Sequence, residues 1–314
     1  MKPQPILCDM PPHIKENIVL HVDAFTKMTS LHRICKEYKF LVDKAPVEFY
    51  KIRVCYIRHA VAISLYSSEN DHKTIIFEKY YEGYITTKNP GARRETVFVG
   101  DYVNAALDLL MKTVSVSNVF FENLDVTFNW NFHELLVEKL SILEYKLRVK
   151  NLNLTGIKAQ NQLESIIPFL EPGTLKSISI THLFLRGGLF FNRVALLEQW
   201  KQAETFKTFN FELYSPYSEW CHFKDCDVGL EELPLEHLKE IVDNFKQNSS
   251  LRSTIITLRQ EIDDEVRSYL NDFKVADQEN NWCIPIREND NLDIILDGRI
   301  MEENKIKIVR RLTL

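Results

Sequence analysis

Gln162–Ile178 reads QLESIIPFLEPGTLKSI. Leu163, Ile166, Ile167 and Leu170 recur at three- and four-residue spacing, which lines them along one face of a helix. Pro172-Gly173 stops that helix, because proline has no N–H for the next turn and glycine accepts the reversal of the backbone. The period then changes to two. Ile178 and Ile180 alternate with Ser177 and Ser179, as in a strand with one buried face. Helix, stop and strand in so short a space predict an α/β chain.

The same alternation extends in both directions. Downstream, a helix is predicted from Val194 to Phe206. Phe209, Phe211 and Leu213 then alternate with Thr208, Asn210 and Glu212 as a strand. Leu235, Leu238, Ile241, Val242 and Phe245 mark a further helix, Ile255-Ile256 a strand, and Ile262, Val266, Tyr269 and Phe273 another helix. Upstream, Leu147 and Val149 alternate with Lys146, Arg148 and Lys150. Before them come a helix with Leu135, Leu136, Leu140 and Leu143, a strand with Val126, Phe128 and Trp130, and a helix from Asp101 to Lys112. Further back, Ile52, Val54 and Tyr56 alternate as a strand, and Thr74 to Tyr81 is extended after a polar turn at Ser67 to Asp71. Lys88-Asn89-Pro90-Gly91 has loop chemistry.

Strands at Leu147, Ile178 and Phe209 recur at a constant separation of 31 residues. Regular alternation at that period predicts parallel strands joined by right-handed crossovers, stacked as in a solenoid. Lys146 to Leu152 approaches a leucine-rich-repeat ladder only locally. The fold expected is therefore α/β: a small N-terminal helical domain over 1–49, then an irregular leucine-rich-repeat-like β-α solenoid over 50–314, its helices mostly on one side. Trp282 to Arg287, Leu292 to Leu296 and Lys305 to Val309 read as sequential strands forming an antiparallel C-terminal cap over the last edge. Asp297-Gly298 and Glu302 to Asn304 are expected to separate the last two.

The chain has 314 residues, 45% of them hydrophobic, enough for one large core or two modest ones. A net charge of −5 argues against a broad nucleic-acid footprint. Neither a signal-peptide stretch in MKPQPILCDM nor a segment of membrane-spanning length is evident. Cys8, Cys35, Cys55, Cys221, Cys226 and Cys283 lack framework spacing and suit a reducing compartment. An intracellular protein, cytoplasmic or nuclear, is expected.

Chemistry is sparse. There is no phosphate-binding glycine loop, zinc-protease histidine pair or nucleophile elbow. Arg186-Gly187-Gly188 reads as a turn. Cys221-His222-Phe223-Lys224-Asp225-Cys226-Asp227 holds soft and imidazole donors. A closed zinc site needs four ligands, and only Cys283 and His237 offer distant completion, so a polar surface loop is the expectation. No catalytic residue, metal or cofactor is expected, and the protein is read as not an enzyme.

Met10 to Asp43, MPPHIKENIVLHVDAFTKMTSLHRICKEYKFLVD, has a different pattern. Pro11 and Pro12 open a helix. Ile14, Ile18 and Val22 form one stripe, Met28, Leu31, Ile34 and Cys35 a second, and Phe40, Leu41 and Val42 a third, with Asp23 and Thr26 as possible caps. Two or three short helices carry more apolar face than they can bury among themselves, so they must lean on the body or on another protein. The stretch resembles an F-box. Met10-Pro11 fills its opening, Ile14, Ile18 and Val22 its aliphatic positions, Asp23 and Phe25 its turn, and Leu31-His32-Arg33-Ile34-Cys35 its closing run. Pro12-His13 and His21-Val22 depart from the usual residues.

Gln162 to Ile178, and Glu198-Gln199-Trp200-Lys201-Gln202-Ala203, resemble the FTH domain that accompanies F-boxes in a large nematode family. Trp200 is expected to pack in the core. Together the resemblances imply the substrate-recognition subunit of an SCF-type cullin–RING ubiquitin ligase. Met10, Pro11, Ile14, Ile18, Leu31, Ile34 and Cys35 would lie at or near a SKP-family adaptor, and through it a cullin, with some of them holding the helical unit together instead. The body would capture an unknown target protein, with no direct nucleic-acid or membrane partner. The alternative is a degradation-independent protein-binding module, sequestering a protein or assisting an RNA-binding partner, with a vestigial F-box.

Overall fold

The structure, a computed structural model, describes residues 7–22, 24–88, 95–115, 119–128, 132–182, 187–275, 280–287, 290–300 and 303–312. The expected features at Asp23, Asn89 to Gly91, Trp130, Arg186 and Glu302 lie outside these. The chain divides into two compact units, Met1–Leu154 with Pro168–Leu175, and Thr155–Ile167 with Lys176–Leu314. The 1–49 stretch falls within the first.

The first unit is built on seven strands: β1 (Val47–Ile57), β2 (Ala60–Tyr66), β3 (His72–Tyr80), β4 (Gly83–Lys88), β5 (Glu95–Val99), β6 (Val119–Thr127) and β7 (Arg148–Thr155). Their spatial order is β7-β6-β1-β2-β3-β4-β5. β1 runs parallel to β6, but β1 to β5 form an antiparallel meander. Strand–helix alternation therefore does not extend to the start of the body. β2, AVAISLY, is a nearly continuous apolar run without the period-two signal. Only Arg58 and His59 separate it from β1, with Arg58 at φ 53°, and so short a link permits only antiparallel pairing. The Tyr102–Val114 helix starts where expected, with the Asp101 carboxylate accepting the Asn104 N–H at 2.8 Å, and it buries Val103, Ala106, Leu107 and Leu110. The Phe132–Ser141 helix buries Phe132, Leu136 and Leu140.

In the second unit β8 (Ser177–Thr181), β9 (Gly187–Leu189), β10 (Thr205–Phe209), β11 (Phe211–Leu213), β12 (Asp225–Leu230) and β13 (Ser253–Leu258) precede β14 (Asn281–Arg287), β15 (Asp290–Ile300) and β16 (Glu303–Leu312). β8, β10, β12 and β13 are parallel neighbours. The last three strands pair antiparallel, as expected, but in reverse order: β16 joins β13, and β14 becomes the edge. Asp297-Gly298 does not divide them. It lies within β15, where the register shifts between Asp297 and Ile300.

The constant repeat is corrected here. Ser177, Thr205, Asp225 and Ser253 share one register, so the spacings are 28, 20 and 28 residues. The crossovers differ in content. The 13-residue Leu235–Gln247 helix precedes β13, whereas only β11 and the Tyr217–Glu219 turn lie between β10 and β12. The helix expected from Val194 to Phe206 shrinks to a turn at Val194–Leu196 and a short helix at Glu198–Lys201, and Phe206 belongs to β10. The strand expected through Leu213 breaks at Asn210, where φ is 60°. Gly187-Gly188 is not a turn but part of β9, which pairs with β11. The ring of Tyr214 occupies the space that a Cβ at Gly188 would need.

Alternate residues of these strands face opposite sides. Phe206, Cys226, Val228, Ile256, Ile306 and Ile308 are buried. Arg310, on the Ile306 and Ile308 side, donates through Nη2 to the carbonyls of Phe245 and Asn248, so the Leu235–Gln247 helix covers that face. The other face carries Thr205, Lys207, Asp225, Asp227, Ser253, Lys305 and Lys307, half-buried or exposed. Among the described residues no helix is long and apolar enough to cross a membrane.

Candidate functional site

The N-terminal helices place the residues singled out as a docking surface. Pro11 caps the Pro12–His21 helix, its carbonyl accepting the N–H groups of Ile14 and Lys15 at 3.0 and 3.1 Å. A helical turn at Ala24–Thr26, a π-turn at Lys27–Leu31 and a helical turn at His32–Ile34 follow, before the Lys36–Lys44 helix. The break falls at Cys35, whose backbone is extended at φ −159° and ψ 170°. Tyr38 and Val42, both 0% exposed, are the inward residues of the last helix. Burial pushes the Tyr38 hydroxyl above its ordinary range.

The first helix buries Lys15 and Val19 rather than the Ile14 stripe. Lys15 lays its hydrocarbon stem inward and pairs its ammonium with Glu37. The apolar residues so displaced stay at the surface: Ile14 is exposed, and Leu20 and Phe40 are 60% and 56% exposed. Of the other residues expected here, Pro11 is exposed, and Met10, Ile18, Ile34 and Cys35 are half-buried. Leu31, 5% exposed, holds the unit together from within. Nothing in the described residues bears on the Phe25 or Met28 side chains. Leu7, Leu20 and Phe40 were not singled out as surface residues. For Leu20 and Phe40 a signal was present: Val19-Leu20 and Phe40-Leu41-Val42 widen the apolar arc of these short helices beyond what one inward face takes up.

The Cys221–Asp227 segment is not the polar surface loop expected. Asp225–Leu230 is β12, with Cys226 buried on the helix-covered side. The neighbouring side chains are committed elsewhere. His222 Nε2 donates to the Trp200 carbonyl at 2.9 Å, and the Cys221 thiol donates to the Ser218 carbonyl at 3.6 Å. Among the described residues no group of three or more His, Cys, Asp or Glu could hold a metal ion.

Burial lowers the His222 pKa, and the hydrogen bond to Trp200 offsets part of that shift. The unfolded imidazole titrates near 6.5, so as pH falls through that value the unfolded chain takes up a proton that the native site resists. Stability should therefore decline with acidification from about pH 6.5 downward. Denaturant midpoints compared at neutral and mildly acidic pH test this. His222→Gln, which keeps a donor, should flatten the slope, leaving the part due to His133, whose pKa burial lowers in the same direction.

Trp200 is fully buried among Phe191, Phe206 and Phe223, with ring centroids 4.7, 4.8 and 5.0 Å away. It packs and does not recognise. At the opening stretch, the Gln162 side chain accepts the N–H of Lys158 at 2.7 Å to start the helix, and Gly173 reverses the chain at φ 82°. Residues 130–273 match the family model of the FTH domain. The match takes in both Gln162–Ile178 and Trp200, and it ends before β14. Neither a curated protein nor a solved structure matches the chain.

Proposed function

We propose that the protein is the target-recognition subunit of an SCF-type cullin–RING ubiquitin ligase. The observation that carries this reading is the FTH domain at 130–273, a family typically associated with F-box proteins, on a chain whose Met10–Asp43 stretch resembles an F-box. The exposed Ile14, Leu20 and Phe40 dock on a SKP-family adaptor. Met10, Pro11, Ile18, Ile34 and Cys35 lie around them, and Leu31 supports the contact from inside. The parallel strands of the second unit, unequally spaced and covered by helix on one face, support reading it as an irregular leucine-rich-repeat-like body that captures the target. The subunit makes no covalent bond itself. It raises the rate by holding the target at high effective concentration near ubiquitin-loaded enzyme, which places it inside the cell, in the cytoplasm or nucleus.

Co-expression with a SKP-family adaptor and size-exclusion chromatography test the reading. Ile14→Asp and Leu20→Asp put a carboxylate where the free protein leaves it solvated, so circular dichroism should not change. In the complex the same carboxylate is desolvated without a partner, and affinity should fall by on the order of a hundredfold. Leu31→Asp should instead unfold the helical unit. No complex with the folded parent would overturn the receptor reading in favour of a binding module that does not direct degradation.

A further inference from the structure

The second unit has a cleft of about 400 Å³ at the C-terminal ends of its parallel strands. It opens because two ladders part there. Backbone pairing of β10 with β12 ends at Lys207 and Asp227. Beyond it Asn210 turns the chain, and β11 leaves to pair with β9. β11 still crosses close above β12. A Cβ at Gly229 would lie 2.2 Å from the Phe211 carbonyl oxygen, so only glycine fits the cleft floor. Clefts at the carboxyl ends of parallel strands are the usual ligand sites of open α/β sheets.

Two cations and two carboxylates line it: Arg259, Lys305, Glu212 and Asp227. Arg259 is paired with Glu212 at 3.2 Å. Lys207 and Lys307 lie beside the cleft on the uncovered face, at the two ends of a cross-strand row that runs Lys207, Asp227, Ile255, Lys307. Burial pushes the Asp227 pKa up, against Lys305 and Lys207, which both favour its charged form. Four cations thus stand beside the two carboxylates of the cleft, and Asp225, further along the same face, is paired with Arg252, on a chain whose net charge is −5. At the rim the Phe209 ring is 47% exposed, an aromatic platform beside the charge.

We propose that this cleft and the lysines beside it bind an acidic segment of a polypeptide, an aspartate- or glutamate-bearing stretch with an apolar residue packed on Phe209. The proposal rests on the reading of this unit as the target-capturing body and names the chemistry of what it captures. A peptide carries charge only at chosen positions and can match a surface where Glu212 and Asp227 are interleaved with the cations. A nucleic acid carries charge at every unit and must meet both carboxylates, so it fits less well.

The test uses the full chain and fluorescein-labelled twelve-residue probes read by anisotropy: alternating Glu and Leu, alternating Gln and Leu, and a single-stranded oligonucleotide of matched length. The Glu-Leu peptide should bind most tightly and weaken with salt. Lys207→Glu with Lys305→Glu should weaken it by about tenfold or more, and Phe209→Ala by about fivefold. Lys239→Glu, a single charge reversal on the exposed side of the covering helix, should have no effect. Equal binding of the Glu-Leu and Gln-Leu peptides overturns the proposal, as does tighter binding of the oligonucleotide or an equal loss in Lys239→Glu. Adaptor co-elution from the same preparation reports on the receptor reading separately. Peptide capture without an adaptor complex overturns that reading and leaves the cleft, and an adaptor complex without peptide capture does the reverse.

Discussion

Trp200→Ala should destabilise the second unit by about 3–5 kcal/mol, the range for removing a fully buried large aromatic side chain. Trp200 is 0% exposed and stands at the centre of a cluster, with Phe191, Phe206 and Phe223 each within 5.0 Å between ring centroids. Those rings come from separate segments of the chain, so no single local shift can refill the space. The indole Nε1–H also donates to the Glu219 carbonyl at 2.8 Å, which fixes the Tyr217–Glu219 turn. Guanidinium unfolding followed by circular dichroism gives the loss directly. Trp200→Phe keeps part of the packing and should recover a large part of it. A loss below about 1 kcal/mol for the alanine variant would mean that the cluster collapses around the cavity.

Arg310→Ala should cost about 3–5 kcal/mol, for a different reason. Arg310 and Asp290 are paired at 2.6 Å with side chains only 6% and 10% exposed. The same guanidinium donates to the carbonyls of Phe245 and Asn248 at the end of the Leu235–Gln247 helix, where a cation is favoured. Removing it leaves a buried carboxylate without its counter-charge and two carbonyls without a donor. The hairpin of β15 and β16 then loses its tie to the helix. Hydrogen exchange should show faster exchange in β15 and β16 before the parallel strands are affected. Replacing both partners, Arg310→Met with Asp290→Leu, should cost much less than the single change, since no buried charge remains. Equal losses in the single and double variants would show that the pair itself, not the orphaned charge, carries the stability.

The proposed docking surface shows how far residue pattern reaches. The excess of apolar residues over Met10–Asp43 is visible in the sequence, because short helices cannot bury three stripes among themselves. Which stripe turns inward is not visible there. Lys15 is a poor candidate for burial on composition, yet Glu37 lies where it can take the ammonium, and that leaves Ile14 and Leu20 outside. A contact between residues so far apart in the chain leaves no periodic trace.

The cleft lies further beyond local reading. Glu212, Asp227, Arg259 and Lys305 share no motif and meet only because β11 departs from β10 and β16 returns beside β13.

Local patterning settled the α/β class, the helix beginning at Asp101, the strand at Ile178, the antiparallel C-terminal strands and the buried role of Trp200. Each depends on spacing, capping or turn chemistry within a few residues. Tertiary structure alone decided the meander of β1 to β5, the unequal 28, 20 and 28 spacing, and the insertion of β16 beside β13. Strand partners and crossover lengths are chosen by where apolar faces meet across the folded chain, and that information is shared among segments rather than held by any one of them.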